Sequence, residues 1–118
     1  MTASAGFAGL LREHLAPIGG LSLRRMFGCT GLFSHGTMFG LVQHDTLFLR
    51  VDEGNRAAFE AEGGTPFTYR RAGEVRALAY RAAPESLLDE PEEILRWARD
   101  ALAAAHRVAA TRTARRRR

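Results

Sequence analysis

Apolar and polar positions alternate most regularly near residue 50, at the end of a stretch rich in short apolar runs. Leu47, Leu49 and Val51 fall on every second position, while Phe48 and Arg50 lie between them. Successive side chains of a strand point to opposite faces of a sheet, so the three aliphatic residues should share one buried face. The pattern predicts a strand that is buried on one face and partly covered on the other.

Two short breaks divide the region between Leu23 and Asp52 into three predicted strands. The breaks are His35-Gly36, where glycine adopts a positive φ angle without steric cost, and His44-Asp45. Such short loops join antiparallel neighbours, so the region should form a three-stranded meander with His35-Gly36 at a hairpin tip. Gly28 and Gly31 lie inside the first run, where they indicate a bulge, a bend or a close backbone approach, although plain sheet curvature is the interpretation that we favour.

Helical spacing of apolar residues predicts three helices in the chain. The first spans about Ser4 to Ala16 and ends at a proline and two glycines. The second spans Asp52 to Glu62, with Asp52 capping the free N–H groups of its first turn. The third begins near Asp89, where acidic residues and an early proline coincide, and it fades between His106 and Ala110.

A second hairpin is predicted between the second and third helices, over residues 66–71 and 74–81 with its turn at Ala72-Gly73. The resulting order is α-β-β-β-α-β-β-α. This order predicts an α+β fold of two layers, in which helices cover one face of a five-stranded, antiparallel-dominated sheet. The length of 118 residues suits one domain, which we place at residues 1–110 and which is followed by an Arg-rich tail at residues 111–118.

Positive charge is concentrated at the C-terminal end of the sequence. All seventeen basic residues are Arg, thirteen residues are acidic, and the formal net charge is +4. Five of the last seven residues are Arg, so the rest of the sequence contains twelve basic and thirteen acidic residues and is nearly neutral. These five candidate nucleic-acid-binding residues are Arg112, Arg115, Arg116, Arg117 and Arg118.

An Arg-rich tail is suited to contact nucleic acid phosphates without reading sequence, because binding releases counterions from the phosphate backbone. An acidic protein partner and a simple solubilising end remain open as alternatives. Residues 111–118 contain no large apolar side chain, so they cannot bury enough surface to offset the entropy of ordering. The tail is therefore predicted to be disordered in free solution.

The cysteine and the histidines of the meander show no pattern typical of a metal or catalytic site. His35 and His44 fall in turns at opposite ends of one predicted strand, which keeps them from converging on one ion with Cys29. A Cys nucleophile needs a base beside it, and no histidine is forced next to Cys29. We predict two turn histidines and one buried thiol, with no catalytic residue, no cofactor and no metal.

Aromatic residues of the predicted strands allow two interpretations. An RNA-recognition sheet exposes aromatic rings beside basic residues, and Phe48 shares a predicted face with Arg50. The interpretation that we favour places these rings in the core or in a dimer interface. Helices on one face leave the other face or an edge strand uncovered, so we predict a homodimer in which Phe39, Phe48 and Tyr80 supply apolar surface.

The sequence contains no apolar run near the ~20 residues that a membrane-spanning helix needs. Residues 1–6 carry no basic charge and no long apolar segment, which is not typical of a signal peptide. Cys29 is the one cysteine of the sequence, so it has no internal disulfide partner. We expect a cytoplasmic protein that does not contact membranes.

An ordered series of short segments resembles the N-terminal domain of the TfoX (Sxy) family. The series covers about residues 21–104 and is more specific than its Met-Phe-Gly segment alone. Its segments are Arg25-Met26-Phe27-Gly28, Gly31-Leu32-Phe33, residues 36–42, 47–52, 55–60 and 66–69, Tyr80, Pro84 and residues 93–101.

The resemblance implies an α-β(3)-α-β(2)-α layout and a bacterial regulatory role without known catalytic residues. The namesakes of the family regulate natural competence genes, and full-length regulators carry a second, C-terminal domain with helix-hairpin-helix character. We expect this chain to be a stand-alone form of the first domain.

Two functional hypotheses follow from the resemblance and the tail. The first is a non-enzymatic regulatory module that acts through protein–protein contacts, with a tail that touches nucleic acid. The second is a small-ligand-binding or dimeric accessory domain without a nucleic acid role.

Overall fold

Six strands form one sheet in the computed structural model, which describes residues 4–26 and 28–116. The strands are β1 (Leu21–Met26), β2 (Cys29–Ser34), β3 (Thr37–Gln43), β4 (Thr46–Arg50), β5 (Pro66–Arg71) and β6 (Glu74–Ala82). Their order across the sheet is β1-β2-β3-β4-β6-β5, and every neighbouring pair is antiparallel. The α+β class and the antiparallel sheet that the sequence predicted are therefore confirmed.

The described residues also form three α-helices and two short 3₁₀ turns. The helices are α1 (Ala5–Leu15), α2 (Arg56–Ala61) and α3 (Pro91–Arg116), and the 3₁₀ turns span Ala16–Ile18 and Glu85–Asp89. Ser4 caps α1, because its Oγ accepts a hydrogen bond from the Phe7 N–H at 3.2 Å. No helix in this part of the chain combines the length and the apolar character that crossing a membrane would require.

The prediction of five strands is wrong, because the first predicted run folds back on itself. Met26 of β1 pairs with Cys29 of β2, so the chain reverses direction between them, and Gly28 lies in this turn. Gly28 has a φ angle of 79°, close to the 82° of Gly36 in the next hairpin loop. The residue before Gly28 in the sequence is aromatic, which hid the loop inside an apolar run. The observed order is therefore α-β-β-β-β-α-β-β-α, and Gly28 belongs to a turn.

The prediction for the buried side of β4 is confirmed. Leu47, Leu49 and Val51 are at most 6% exposed and lie together in the main core. His35-Gly36 joins β2 to β3 at a hairpin tip, also as predicted, and His35 itself adopts a positive φ angle of 47°. The alternation of apolar residues and the short loop were sufficient to specify this register.

Helices α1 and α3 pack on one face of the sheet and enclose the main core with it. Ala98, Ala101 and Ala104 of α3 are fully buried, so their small side chains let the helix approach β3 and β4 closely. The edge of the Trp97 ring meets Phe59 of α2, with the ring centroids 4.8 Å apart. Two layers result, with α3 as the central helix.

Gly40 lies in the sheet where no side chain would fit. It stands opposite Leu32 on β2 and Leu49 on β4. A Cβ atom at Gly40 would lie 3.1 Å from Leu32 Cδ1, 3.2 Å from Leu49 Cδ2 and 3.2 Å from the Phe48 carbonyl oxygen. The glycine therefore allows the two leucines to meet over the strand.

The predicted helix over Asp52–Glu62 is shorter than expected, and the role of Asp52 as its cap is wrong. Helix α2 begins at Arg56, whose N–H donates to the Asp52 backbone carbonyl at 3.0 Å. Asn55 fixes the entry to the helix, because its Oδ1 accepts from the Asp52 N–H at 2.8 Å and its Nδ2 donates to the Arg50 carbonyl at 3.0 Å. The Asp52 carboxylate is left for another partner.

The last helix is longer than predicted. The sequence placed its end between His106 and Ala110, whereas α3 continues to Arg116 as an exposed helix. Thr111 and Thr113 donate their hydroxyl hydrogens to the carbonyls of Arg107 and Ala109, one turn earlier. The domain boundary at residue 110 and the disorder of the tail in free solution stay predictions.

Replacing Gly40 by Ala should destabilise the fold by about 1–3 kcal/mol, because the new methyl group would overpack the sheet against both leucines and a backbone oxygen. Gly9→Ala is the matched control, since a Cβ at Gly9 in α1 meets nothing within 4 Å and should stabilise the helix by about 0.5–1 kcal/mol. Urea unfolding of both variants measures the difference. Equal stability of the two variants would contradict the packing described for Gly40.

Candidate interaction surface

In the described part of the chain, no helix packs on the sheet face opposite α1 and α3, and we call this the open face. Cross-strand pairing fixes its composition, because Arg24, Gly31, Leu41 and Phe48 stand opposite one another from β1 to β4. Residues that stand directly opposite one another share a face. The side chains that define the open face are Arg24, Phe33, Met38, Leu41, Phe48, Arg50, Phe67, Tyr69 and Tyr80.

Aromatic side chains on the open face pack on one another and form a second, smaller core. Leu41, Phe67 and Tyr80 are buried at its centre, and the Phe48 and Phe67 rings meet edge to face with centroids 5.2 Å apart. Rings that are occupied in this way are not free to stack on bases. The hypothesis of an RNA-stacking sheet is therefore not supported by the geometry.

The residues that were predicted to supply apolar surface for a dimer are mostly buried. Phe39 is completely buried in the core on the helix side, and Tyr80 is 6% exposed. Phe48 is half-buried. The prediction is thus wrong for Phe39 and Tyr80, because a bulge between β2 and β3 turns Phe39 to the helices. The homodimer itself stays a prediction.

Two Arg side chains lie on the aromatic rings of the open face. The Arg24 guanidinium carbon is 4.3 Å from the Phe33 ring centroid, and that of Arg50 is 5.5 Å from the Tyr80 centroid. The Nε atom of Arg50 is buried, and no described residue accepts a hydrogen bond from it. Burial raises the pKa of Tyr80, whereas the positive charges of Arg50 and Arg112 act to lower it.

A bidentate ion pair attaches the C-terminal half of α3 to the loop after β4. Arg107 donates from Nε to Asp52 Oδ2 at 2.6 Å and from Nη2 to Asp52 Oδ1 at 2.7 Å. The Gly54 N–H donates to the same carboxylate at 2.9 Å. The hydrogen bond from Arg107 is the largest of the effects that lower the pKa of Asp52 to about 2. This contact fixes the direction in which the helix continues.

Beyond this ion pair, α3 carries Arg112, Arg115 and Arg116, which are exposed and which we call the Arg end. Residues at i, i+3 and i+4 share one side of a helix, so these three guanidinium groups form a single basic stripe. No acidic residue follows Asp100 in the sequence, so the stripe has no neutralising neighbour along the helix. The predicted site residues Arg117 and Arg118 lie outside the described residues.

The structure keeps Cys29, His35 and His44 apart, as the turn positions of the histidines predicted. The two histidines occupy the loops on either side of β3, and the Cys29 Sγ donates to the Met26 carbonyl at 3.1 Å. Burial raises the pKa of the Cys29 thiol, which disfavours the reactive thiolate. Among residues 4–26 and 28–116, no three His, Cys, Asp or Glu side chains are grouped so that they could hold a metal ion.

Sequence reasoning found the Arg end but missed the residues that position it. Arg107 was not singled out, because its partner Asp52 lies 55 residues earlier and was assigned to a helix cap. The contact between Arg50 and Tyr80 was also missed, since it depends on the pairing of β4 with β6. The one local indication of the contact with Asp52 was Arg107 itself, an isolated arginine in the Ala-rich run of residues 101–110.

Two comparisons relate this architecture to known proteins. A family model described as the TfoX N-terminal domain matches residues 13–105. Protein Sxy of Escherichia coli strain K12 is 29% identical over 106 residues, an alignment that covers 90% of this chain and 51% of Sxy. The chain thus spans about half the length of the curated relative that it matches.

Replacing Asp52 by Asn should lower the free energy of unfolding at pH 7 by about 1 kcal/mol. The folded-state pKa of about 2 lies below the ordinary 3.8, so the carboxylate stabilises the protein above about pH 4. This contribution is lost as the pH falls from about 4 through 2, and because Arg107 is half exposed, solvent screening limits it to about 1 kcal/mol. Urea unfolding as a function of pH measures the effect.

Glu93→Gln is the control for this experiment, because the Glu93–Arg96 pair is more exposed and should contribute at most about 0.5 kcal/mol. The difference in the free energy of unfolding between the parent protein and the Asp52→Asn variant should become small near pH 2. A gap of the same size at pH 7 and pH 2, or none at pH 7, would contradict the role of this ion pair.

Proposed function

Because this chain belongs to the TfoX N-terminal domain family, we propose that it is a non-enzymatic regulatory module similar to the first domain of competence regulators. The family resemblance read from the sequence is confirmed by the match over residues 13–105. In this proposal the module acts through contacts with other macromolecules. It contacts a protein partner through its folded body and nucleic acid through the Arg end.

The Arg end is the observation that carries the nucleic acid part of the proposal. Arg112, Arg115 and Arg116 are exposed on one side of α3, in a segment that contains no acidic residue. Arginine neutralises backbone phosphates and releases their counterions, which gives affinity without sequence preference. The family match ends at residue 105, so this contact is proposed for this chain rather than for the family as a whole.

Attachment of α3 to the sheet supports the same proposal. The ion pair between Arg107 and Asp52 ties the helix to the loop after β4, little more than one turn before Arg112. The basic stripe is therefore presented from a fixed base, and fewer degrees of freedom are lost when it binds an extended polyanion. A free tail would carry the same charge without this orientation.

The accessory-domain hypothesis is the second candidate, and one observation bears on its ligand. A cavity between the start of β4 and the 3₁₀ turn before α3 is lined by Thr46, Leu47, Leu87 and Ile94 and has a volume of ≈ 20 Å³. Such a space holds about one water molecule. This cavity gives no support to a small ligand.

Replacing four arginines of the tail by Gln should abolish most binding to a short DNA duplex. The four are Arg115, Arg116, Arg117 and Arg118. Each phosphate contact contributes about −0.9 to the slope of log affinity against log salt, so the loss of four contacts should flatten the slope by about 3–4. Fluorescence anisotropy between about 50 and 200 mM salt measures affinity and slope together.

The matched control removes four arginines from elsewhere on the protein surface. These are Arg12, Arg56, Arg96 and Arg99. Both variants have as many basic as acidic residues, since four of the seventeen arginines are lost against thirteen acids. The control should keep the slope of the parent protein. Equal weakening in the two variants would show a general charge effect, and a flat salt response of the parent protein would refute nucleic acid contact.

A further inference from the structure

The hairpin of β5 and β6 extends beyond the rest of the sheet. Strand β4 pairs with β6 only where Phe48, Leu49 and Arg50 stand opposite Ala82, Arg81 and Tyr80. The remainder of the hairpin, residues 68–78, is a two-stranded ribbon whose side chains are mostly exposed. We call these residues the ribbon.

One edge of the ribbon has unpaired backbone groups. Arg71 and Glu74 flank the two-residue loop and face each other in the ladder, so the N–H and C=O groups of Val75 and Ala77 point away from β5. Backbone groups alternate in direction along a strand, so the carbonyl of Ala79 points to the same side as that of Ala77. It points towards β4 and accepts a hydrogen bond from the Val51 N–H at 2.9 Å. Beyond Ala79, the register shows no β4 residue opposite Val75 or Ala77. Strand β6 therefore presents a short free edge.

This edge lacks the protection that other edges of the sheet have. The outer edge of β5 starts with Pro66 and ends with two arginines, and β1 at the opposite side of the sheet carries Arg24 and Arg25. Proline and like charges discourage pairing with another strand. In contrast, β6 carries one acid and one base beside its free edge, Glu74 and Arg76, so its charges do not repel a second strand as a pair of arginines does. Val75 and Leu78, on opposite faces of the ribbon, are 63% and 39% exposed and are the large hydrophobic residues that stand out as exposed in the described chain.

We propose that the free edge of β6 pairs with β6 of a second copy, antiparallel and about a two-fold axis at Val75. This register sets Val75 against its own counterpart and sets Glu74 against Arg76 of the other copy, twice by symmetry. Glu74 and Arg76 already lie on one side of the ribbon, with an N–O distance of 3.2 Å between them. The two copies together would alternate positive and negative charges along the joint.

Other symmetric registers are less favourable. An axis at Arg76 would bring two guanidinium groups face to face, which costs energy in a cross-strand pair. An axis at Ala77 would place Val75 against Ala79, whose carbonyl already accepts from Val51. The charge pattern therefore selects the register at Val75.

Such a joint is small, so we expect a weak dimer. Residues 73–77 of each copy would pair, and the surface area that they bury would be far less than the ~1,200 Å² buried in a standard interface. Association should therefore occur at high micromolar to about millimolar concentration. This interface does not depend on the Arg end, so it stands or falls separately from the proposed contact with nucleic acid.

Charge reversal tests the proposed joint. Glu74→Arg sets two like-charged pairs across the joint, as does Arg76→Glu, so each single variant should weaken self-association by about tenfold or more in sedimentation equilibrium. The double variant restores opposite charges in the reverse order and should recover the affinity of the parent protein. A parent protein that stays monomeric up to about 1 mM, or a double variant no better than the single ones, would overturn the proposal.

Disulfide trapping tests the register, and it is done in a Cys29→Ser background. Val75→Cys should cross-link to its counterpart under mild oxidation, since hydrogen-bonded partners in antiparallel strands have Cα atoms about 5.5 Å apart. Ala77→Cys is the control, because the proposed register places Ala77 opposite Gly73. Faster cross-linking at Ala77 than at Val75 would overturn the register. Circular dichroism of every variant checks that the fold is retained.

Discussion

Close packing of α3 on the centre of the sheet is the constraint on which the rest of the structure depends. Three buried alanines, Ala98, Ala101 and Ala104, bring the helix axis near β3 and β4. This packing determines the path of the helix past the end of β4, where Arg107 meets Asp52. The position of the basic stripe therefore follows from small side chains several turns earlier in the helix. Larger residues at those positions would shift the helix and disturb the contact between Arg107 and Asp52.

Local patterns predicted most of the sheet and few of its long-range pairings. Alternation at Leu47, Leu49 and Val51 and the loop at His35-Gly36 depend on neighbouring residues, so the sequence was sufficient for them. The sixth strand was missed because the loop at Gly28 follows an aromatic residue rather than a polar one. The site was predicted only as a cluster of charge, since the partner of Arg107 and the free edge of β6 are set by contacts between distant segments.

The two faces of the sheet have different consequences for function. The main core on the helix side is a cluster of packed apolar side chains, whereas the open face combines packed rings with the guanidinium groups of Arg24 and Arg50. The folded body is nearly neutral apart from the Arg end. A body of this kind favours short-range contacts with proteins, while the basic stripe attracts polyanions over roughly a Debye length.

Chemical-shift mapping with a short DNA duplex tests the central claim most directly, because it locates the contact on the folded protein. The account predicts that amide signals from Arg107 through Arg116 shift on addition of duplex at low salt and return at high salt. Signals of the ribbon and of α1 should stay unchanged. Shifts confined to other surfaces, or the absence of any shift at low salt, would contradict the assignment of the Arg end as the nucleic acid contact.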